Sequence, residues 1–192
     1  GGGEVGNADQ PSVHAYTLKE PVGVAGLVTP FNFPLAVTVW KLAAALAAGC
    51  TTVIKPSPLA PMTSALIVEL FEEAMSCIPQ LKTANIGPGV INVVHGGPEI
   101  VSALIQHQLI QALSFTGSSQ AGKAIYRQAA SRDPWPIDPG NFLAEMGGHN
   151  AELVLADADL NMAVAAAVTG VAVGEGQRCT ATKRIFVDDS VA

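Results

Sequence analysis

Three side chains, a thiol, a carboxylate and an amide, give this sequence its clearest chemical signal. Cys179 lies in a polar, glycine-rich segment, Glu145 precedes a pair of glycines, and Asn32 lies between two prolines. A thiolate can attack a carbonyl carbon, an amide N–H can stabilise the oxygen that becomes negatively charged, and a carboxylate can take a proton from water. Together the three residue types predict covalent chemistry at a carbonyl group.

Each of these residues also has a purely structural interpretation. Cys179 could be an inert packing thiol, Asn32 an Asx turn, and Glu145 a surface carboxylate at the end of a strand. The polar surroundings of Cys179 argue against packing, because a thiol would gain little burial in such a loop. Cys50 and Cys77 have no comparable flanking residues, and we predict structural roles for both.

Composition excludes several classes of protein. Of the 192 residues, 49% are hydrophobic and 14% charged, which favours a globular chain with a large core over a disordered one. The net charge is -6 and the basic residues are scattered, so no nucleic-acid partner is predicted. The apolar stretches are too short or too interrupted to span a membrane, and the four histidines are too far apart for a metal site. Three cysteines without paired spacing fit a reducing compartment, and we predict the cytoplasm.

Apolar strand-like runs alternate with helical patterns along most of the chain. This order predicts an α/β fold in which a parallel, Rossmann-like sheet has helices on both faces. The predicted strands are 22–28, 51–54, 90–94, 112–115, 142–146, 151–155 and 184–187, and the predicted helices are 36–48, 62–75, 98–107, 119–130 and 159–173. Residues 1–7 and 133–140 are rich in glycine or proline and are predicted to be surface loops.

Two glycine-rich segments are similar to phosphate-binding loops. Residues 1–6 match a dinucleotide fingerprint by chance, since neither a strand nor a helix frames them. Residues 117–124 follow a strand and open a helix, so their backbone N–H groups could hold a phosphate group. A nucleoside-triphosphate loop would need a hydroxyl after Lys123, and Ala124 has none. A turn that caps a helix without any ligand is the structural alternative.

Taken as an ordered set, five short motifs resemble the aldehyde dehydrogenase superfamily. They are the segments 29–34, 53–57, 115–118, 145–148 and 176–179. The amino-acid sequences of segments 144–146 and 177–182 are most similar to those of branches that oxidise semialdehydes, such as the ketoglutarate semialdehyde dehydrogenases. By this resemblance the chain is far shorter than a complete member, and we expect it to lack most of the catalytic domain.

The resemblance implies a reaction, the oxidation of a small aldehyde to a carboxylic acid with NAD or NADP. Cys179 would form a thiohemiacetal and then a thioester, and Asn32 together with the Cys179 backbone N–H would form an oxyanion hole. Glu145 would activate the hydrolytic water, and we predict that burial among apolar neighbours raises its pKa. The resemblance also implies that a complete chain forms a homo-oligomer.

The resemblance further assigns a coenzyme site. Its residues are Thr29, Pro30, Phe31, Lys55, Ser57, Pro58, Gly117, Ser118 and Gly147. Lys55 would bind the adenosine ribose hydroxyls, with an ordinary solvated lysine as the alternative. Many NAD-preferring relatives have an acid three residues after this lysine, where the present chain has Pro58. Without a carboxylate there to repel a 2′-phosphate, NADP is predicted to be accepted at least as well as NAD.

The resemblance divides the chain into three parts. Residues 1–19 form an arm with a possible oligomerisation strand, 20–148 a nucleotide-binding Rossmann-like domain, and 149–192 the start of a second, catalytic α/β domain. Two function classes stay open: an aldehyde dehydrogenase, and a catalytically silent fragment that binds nucleotide or associates with other subunits. An acylating, coenzyme-A-dependent enzyme is disfavoured by Glu145, because that route needs no hydrolytic base.

Overall fold

A five-stranded parallel sheet forms the centre of the molecule in a computed structural model, which describes residues 5–6, 13–83 and 87–192. The strands are β1 (Val5–Gly6), β2 (Ala15–Tyr16), β3 (Val24–Val28), β4 (Thr51–Lys55), β5 (Ile91–Val93), β6 (Ile110–Gly117), β7 (Phe142–Met146), β8 (Asn150–Val154) and β9 (Thr182–Val187). The α-helices are α1 (Ala36–Ala47), α2 (Pro61–Ser76), α3 (Pro79–Thr83), α4 (Pro98–Gln106), α5 (Ser119–Ala130) and α6 (Leu160–Ala172). The central sheet has the order β5-β4-β3-β6-β7. The predicted parallel α/β fold is confirmed.

Helices cover both faces of the central sheet. On one face Leu27 and Ile54 pack with Leu42 of α1, and on the other Leu113 packs with Ile105 of α4. The chain runs outward from β3 to β5 and then returns to β6 on the other side of β3. Right-handed crossovers therefore place α1 and α2 on one face and α4 and α5 on the opposite one. Within the described ranges, none of the helices has the length and hydropathy needed to cross a membrane.

Helix boundaries follow the local sequence. Pro61 and Pro98 begin α2 and α4, where the N–H that proline lacks would have had no partner within the helix. Ser118 precedes α5, and its hydroxyl accepts the backbone N–H of Ala121 at 3.2 Å. Asp159 caps α6 in the same way through its carboxylate. The residues at the start of these helices thus determine where each helix begins.

A second, smaller parallel unit follows the central sheet. β8 pairs in parallel with β9, and α6 connects the two strands. This β-α-β unit confirms the start of a second α/β region after β7. The division into domains at residue 149 stays a prediction.

The amino-terminal arm contains little regular structure among its described residues. β1 pairs with β2 in an antiparallel ladder that joins Val5 to Tyr16 and Gly6 to Ala15. The alternating pattern after residue 12 therefore produces a strand of only two residues. Residues 1–4 and 7–12, which include most of the chance glycine fingerprint, lie outside the described residues.

The proline-rich stretch 133–140 is only in part the surface loop that its composition predicts. Arg132 just before it and Ile137 within it are 4% and 2% exposed. The Arg132 guanidinium donates to the carbonyl oxygens of His107 at 3.1 Å and Ile110 at 2.6 Å. Proline and glycine indicate turns but not burial, so the sequence could not show that this loop is anchored between α4 and β6.

We expect Leu27→Ala to lower the free energy of unfolding by about 3 kcal/mol, because the side chain is almost fully buried at the centre of the sheet. Leu59→Ala removes the same atoms from a side chain that is 78% exposed, and should cost less than about 0.5 kcal/mol. Urea unfolding of both variants measures the difference. Equal losses would contradict the position of Leu27 in the core.

Candidate active site

The carboxyl ends of four parallel strands meet at one edge of the central sheet. Thr29 follows β3, Lys55 ends β4, Ser118 follows β6, and Gly147 follows β7. β3 and β6 are neighbours in the sheet, and the connections from them lead to opposite sides. Open α/β sheets leave a ligand-binding crevice at such a reversal of strand order.

A cleft of about 570 Å³ lies at this edge and extends to the loop before β9. Every residue that the sequence predicted for the site lines it: Thr29, Pro30, Phe31, Asn32, Lys55, Ser57, Pro58, Gly117, Ser118, Glu145, Gly147 and Cys179. The fold therefore brings together residues that are scattered over most of the sequence. Their chemical roles stay predictions.

Three residues with left-handed backbone turn the chain toward the cleft after α6. Gly174, Glu175 and Gly176 have φ angles of 65°, 55° and 69°. Glycine adopts this conformation without a steric penalty, whereas Glu175 is unusual in doing so. The turn ends the helix and leaves Cys179 exposed on the cleft wall.

Hydrogen bonds hold the backbone on both sides of the Cys179 peptide. The Asn32 side-chain amide donates to the Gln177 carbonyl at 2.6 Å, and Asn150 donates to the Cys179 carbonyl at 2.6 Å. The Arg178 guanidinium donates at 3.0 and 3.1 Å to carbonyl groups in the last turn of α6. An amide nitrogen carries two N–H donors, so the bond to Gln177 leaves Asn32 one donor for a ligand oxygen.

Glu145 is in a more polar environment than its sequence neighbours suggest. The Thr116 hydroxyl donates to its carboxylate at 2.8 Å, the Lys41 ammonium donates at 3.2 Å, and the side chain is 55% exposed. These contacts, the Thr116 bond first, lower the pKa of Glu145. The prediction of a raised pKa is wrong. Successive side chains of a strand point to opposite faces, so Ala144 and Met146 point away from this carboxylate. Leu143 shares its face but is 57% exposed, so it does not bury the carboxylate.

Lys41 is a residue of the site that the sequence analysis missed. Its side chain is 3% exposed, and its ammonium donates to the Ser114 hydroxyl at 2.9 Å as well as to Glu145. Burial lowers the pKa of Lys41, and the Glu145 carboxylate opposes that shift. The sequence contains a signal that could have identified Lys41, because it is the only charged residue of α1. A buried charge in an apolar helix needs a partner of opposite charge.

Removal of the Lys41 charge tests this environment. We expect Lys41→Met to raise the pKa of Glu145, because the ionised carboxylate loses an opposite charge at 3.2 Å. Thr116→Val should shift it in the same direction without a change of charge. Lys19→Met, at an exposed lysine before β3, is the control. Carboxyl NMR titration measures the shift, and an unchanged Glu145 midpoint in both site variants would refute the described contacts.

The cleft floor has features that fit a dinucleotide. The Thr29 residue is 3% exposed, and its hydroxyl is buried without a partner in the described part of the chain. A side chain at Gly117 would collide with the Phe115 ring, since a Cβ there would lie 2.6 Å from it. The backbone is therefore bare where α5 begins, and helix N–H groups at such a position attract phosphate. Ser118 caps α5, and its hydroxyl takes up one of these N–H groups, that of Ala121.

Lys55 lies on the wall between the cleft and a second recess. The residue is 6% exposed, and burial lowers the pKa of its ammonium group. The alternative of an ordinary solvated lysine is therefore wrong. The recess, of about 280 Å³, continues past Lys55 and Pro58 between α4 and α5, where Val101 and Ile125 make it largely apolar. Its walls suit a flat, weakly polar group such as a purine.

Comparison with known proteins settles the family. The model of the aldehyde dehydrogenase family matches residues 2–192. The chain belongs to this family. The resemblance seen in the five motifs is therefore confirmed.

Individual relatives agree with this assignment to the aldehyde dehydrogenases. Retinaldehyde dehydrogenase 3 of Homo sapiens is 41% identical over 94% of this chain and 32% of its own length. The alpha-ketoglutaric semialdehyde dehydrogenase of Bacillus subtilis is 40% identical over 92% of this chain and 33% of its own length. The chain thus spans about a third of the curated relatives that it matches, and semialdehyde dehydrogenases are among them.

A solved structure shows the same fold in this family. Betaine aldehyde dehydrogenase of Staphylococcus aureus, crystallised in complex with NAD+, superposes with a TM-score of 0.86. It is 35% identical, and the match covers all of this chain and 35% of that chain. Within the described residues of the present chain, no group of three metal-ligating side chains is placed to hold a metal ion.

Proposed function

We propose that this chain supplies the coenzyme cleft and the nucleophile for the NAD(P)-dependent oxidation of an aldehyde to a carboxylic acid. The single observation that carries the proposal is the common cleft that Cys179, Asn32 and Glu145 line together with Lys55 and Ser118. A thiol, an amide donor and a carboxylate base in one cleft supply the groups that acyl chemistry needs.

The proposed chemistry begins at Cys179. Its thiolate attacks the aldehyde carbon and forms a C–S bond, while the carbonyl oxygen becomes an oxyanion. The free N–H of Asn32 and the backbone N–H of Cys179 donate to that oxygen. The bond from Asn32 to Gln177 supports this role, because it ties the amide to the loop that carries the nucleophile.

When bound, NAD(P) would supply the hydride acceptor. Loss of a hydride from the former aldehyde carbon would then leave an acyl group on Cys179. Glu145 then takes a proton from water, the water oxygen adds to the thioester carbon, and the C–S bond breaks to release the carboxylic acid. The lowered pKa keeps Glu145 ionised near neutral pH, although it makes the carboxylate a weaker base. Lys41 and Thr116 act as positioning residues that hold this carboxylate.

The coenzyme is proposed to lie across the carboxyl edge of the sheet. Lys55 would bind the adenosine ribose hydroxyls, the adjacent recess would take the purine, and the first turn of α5 would face the pyrophosphate. Gly117 supports this placement, because only a residue without a side chain fits there. We further propose a semialdehyde substrate, a cytoplasmic location and a homo-oligomeric assembly.

A silent fragment is the second candidate, and one observation favours it. Large apolar side chains of the second α/β unit are exposed: Met162, Val164 and Phe186 are 69%, 63% and 52% accessible. Such a surface normally packs against other protein, so the site could need further chain to work.

Coenzyme reduction distinguishes the two candidates. The purified chain is mixed with NAD+ or NADP+ and a panel of short aldehydes and semialdehydes, and absorbance reports NADH or NADPH. Aldehyde-dependent reduction supports the dehydrogenase. A folded chain that binds NAD+ but reduces none supports the silent fragment.

A further inference from the structure

A second carboxylate lies beside the turn that borders the recess next to Lys55. Glu99 is in the first turn of α4, directly after Pro98. Its carboxylate accepts the backbone N–H of Gly97 at 2.7 Å. A Cβ on Gly97 would lie only 2.6 Å from the other carboxylate oxygen, so the group is folded back over the turn between β5 and α4. The charge of Glu99 is thus held at a defined place.

That turn and Lys55 border the same recess. Gly97 and Pro98 line it together with Lys55 and Pro58. β4 and β5 are parallel neighbours, so their carboxyl ends reach the same edge of the sheet. Burial lowers the pKa of Lys55, and the negative charge of Glu99 acts in the opposite direction. The two groups form no direct ion pair in the part of the chain that is described.

We propose that Glu99 determines coenzyme specificity by disfavouring NADP. The inference rests on the proposed coenzyme site, in which Lys55 binds the adenosine ribose. A 2′-phosphate on that ribose carries between one and two negative charges near neutral pH, as phosphate monoesters do. Glu99 would repel it and so replace the carboxylate that is missing at Pro58.

The position of Glu99 makes this repulsion hard to avoid. Its hydrogen bond to Gly97 and the positive end of the α4 dipole both stabilise the ionised carboxylate where it lies. Moving the side chain away from a phosphate would break that bond. Pro58 alone predicts that NADP binds at least as well as NAD. Under this proposal, that prediction holds only for a protein that lacks the Glu99 charge.

Glu99→Gln tests the proposal, because glutamine keeps an oxygen that can accept the Gly97 N–H but removes the charge. Isothermal titration calorimetry gives the affinities of the chain for NAD+ and NADP+ at ionic strengths of about 0.05 M and about 0.5 M. We expect the affinity for NADP+ relative to NAD+ to rise roughly tenfold at the lower ionic strength. The rise should shrink at the higher one, where charges are screened. Glu73→Gln, at an exposed position on α2, should leave the ratio unchanged.

The outcomes separate this proposal from the one on which it rests. If NAD+ still binds and the ratio stays constant in Glu99→Gln, Glu99 is not the determinant and the coenzyme site stands. A ratio that rises equally at both ionic strengths would also refute repulsion, since it would indicate a steric effect. If the folded wild-type chain binds neither coenzyme, the proposed function itself fails.

Discussion

Cys179→Ala is expected to reduce aldehyde-dependent coenzyme reduction by a factor on the order of 10³ or more. The substitution removes the sulfur that would form the bond to the substrate carbon, and no neighbouring group can replace it. Coenzyme affinity should change by less than about twofold, because the proposed adenosine contacts are made by other strands. Initial rates and calorimetric titration with NAD+ measure the two effects separately.

Cys77→Ala is the matched control for this prediction. Cys77 is also an exposed thiol, but it lies at the end of α2 and does not line the cleft. Its loss should leave the rate within about twofold of the wild-type rate. Equal rates in the wild type and Cys179→Ala would show that Cys179 is not the nucleophile.

Glu145→Gln should slow turnover by a factor between about 10² and 10⁴ and leave the first reduction of coenzyme largely intact. The amide retains the shape of the side chain but cannot take a proton from water. The acyl group should therefore remain on Cys179 after one hydride transfer. Rapid mixing should show a burst of one NADH or NADPH per active chain, and intact-mass spectrometry should find the acyl adduct.

The same measurements on Glu72→Gln, an exposed acid on α2, control for a change of net charge. That variant should show neither the adduct nor a slower steady state. A Glu145→Gln protein that turns over normally, or that loses the burst together with the steady state, would show that Glu145 does not act after acylation.

Much of the fold could be predicted because its signals are local. The β-branched runs at β3, β4 and β5 and the apolar periodicity of α1 and α5 lie within single elements, and their observed bounds differ from the predicted ones by a few residues. β6 is longer than predicted, because Ile110 pairs with β3 across a register shift at one end and Thr116 and Gly117 pair with β7 at the other. The short helix α3 was missed, because its five residues contain no full apolar repeat.

The composition of the site was predictable, but its electrostatics were not. The residues of the cleft lining could be named because five short motifs resemble those of the aldehyde dehydrogenases, and the resemblance assigns their positions. The pKa of Glu145 depends on Lys41 and Thr116, which lie 104 and 29 positions away in sequence. Lys55 and Glu99 are brought near each other in the same way, through the pairing of β4 with β5. Contacts between elements set these charges, and no local pattern records them.

The hydrogen bond between Asn32 and the Gln177 carbonyl also bears on how the site is made. It joins positions 145 residues apart. All five strands of the sheet that forms the cleft floor precede residues 177–179 in the sequence, so they are made first. Early segments can fold while later ones are still being added. Cys179 is therefore the last of the three proposed catalytic residues to be made. The strands that form the rest of the cleft are already part of the chain by then. The Asn32 amide is thus already part of the chain when the Gln177 carbonyl that it binds is made.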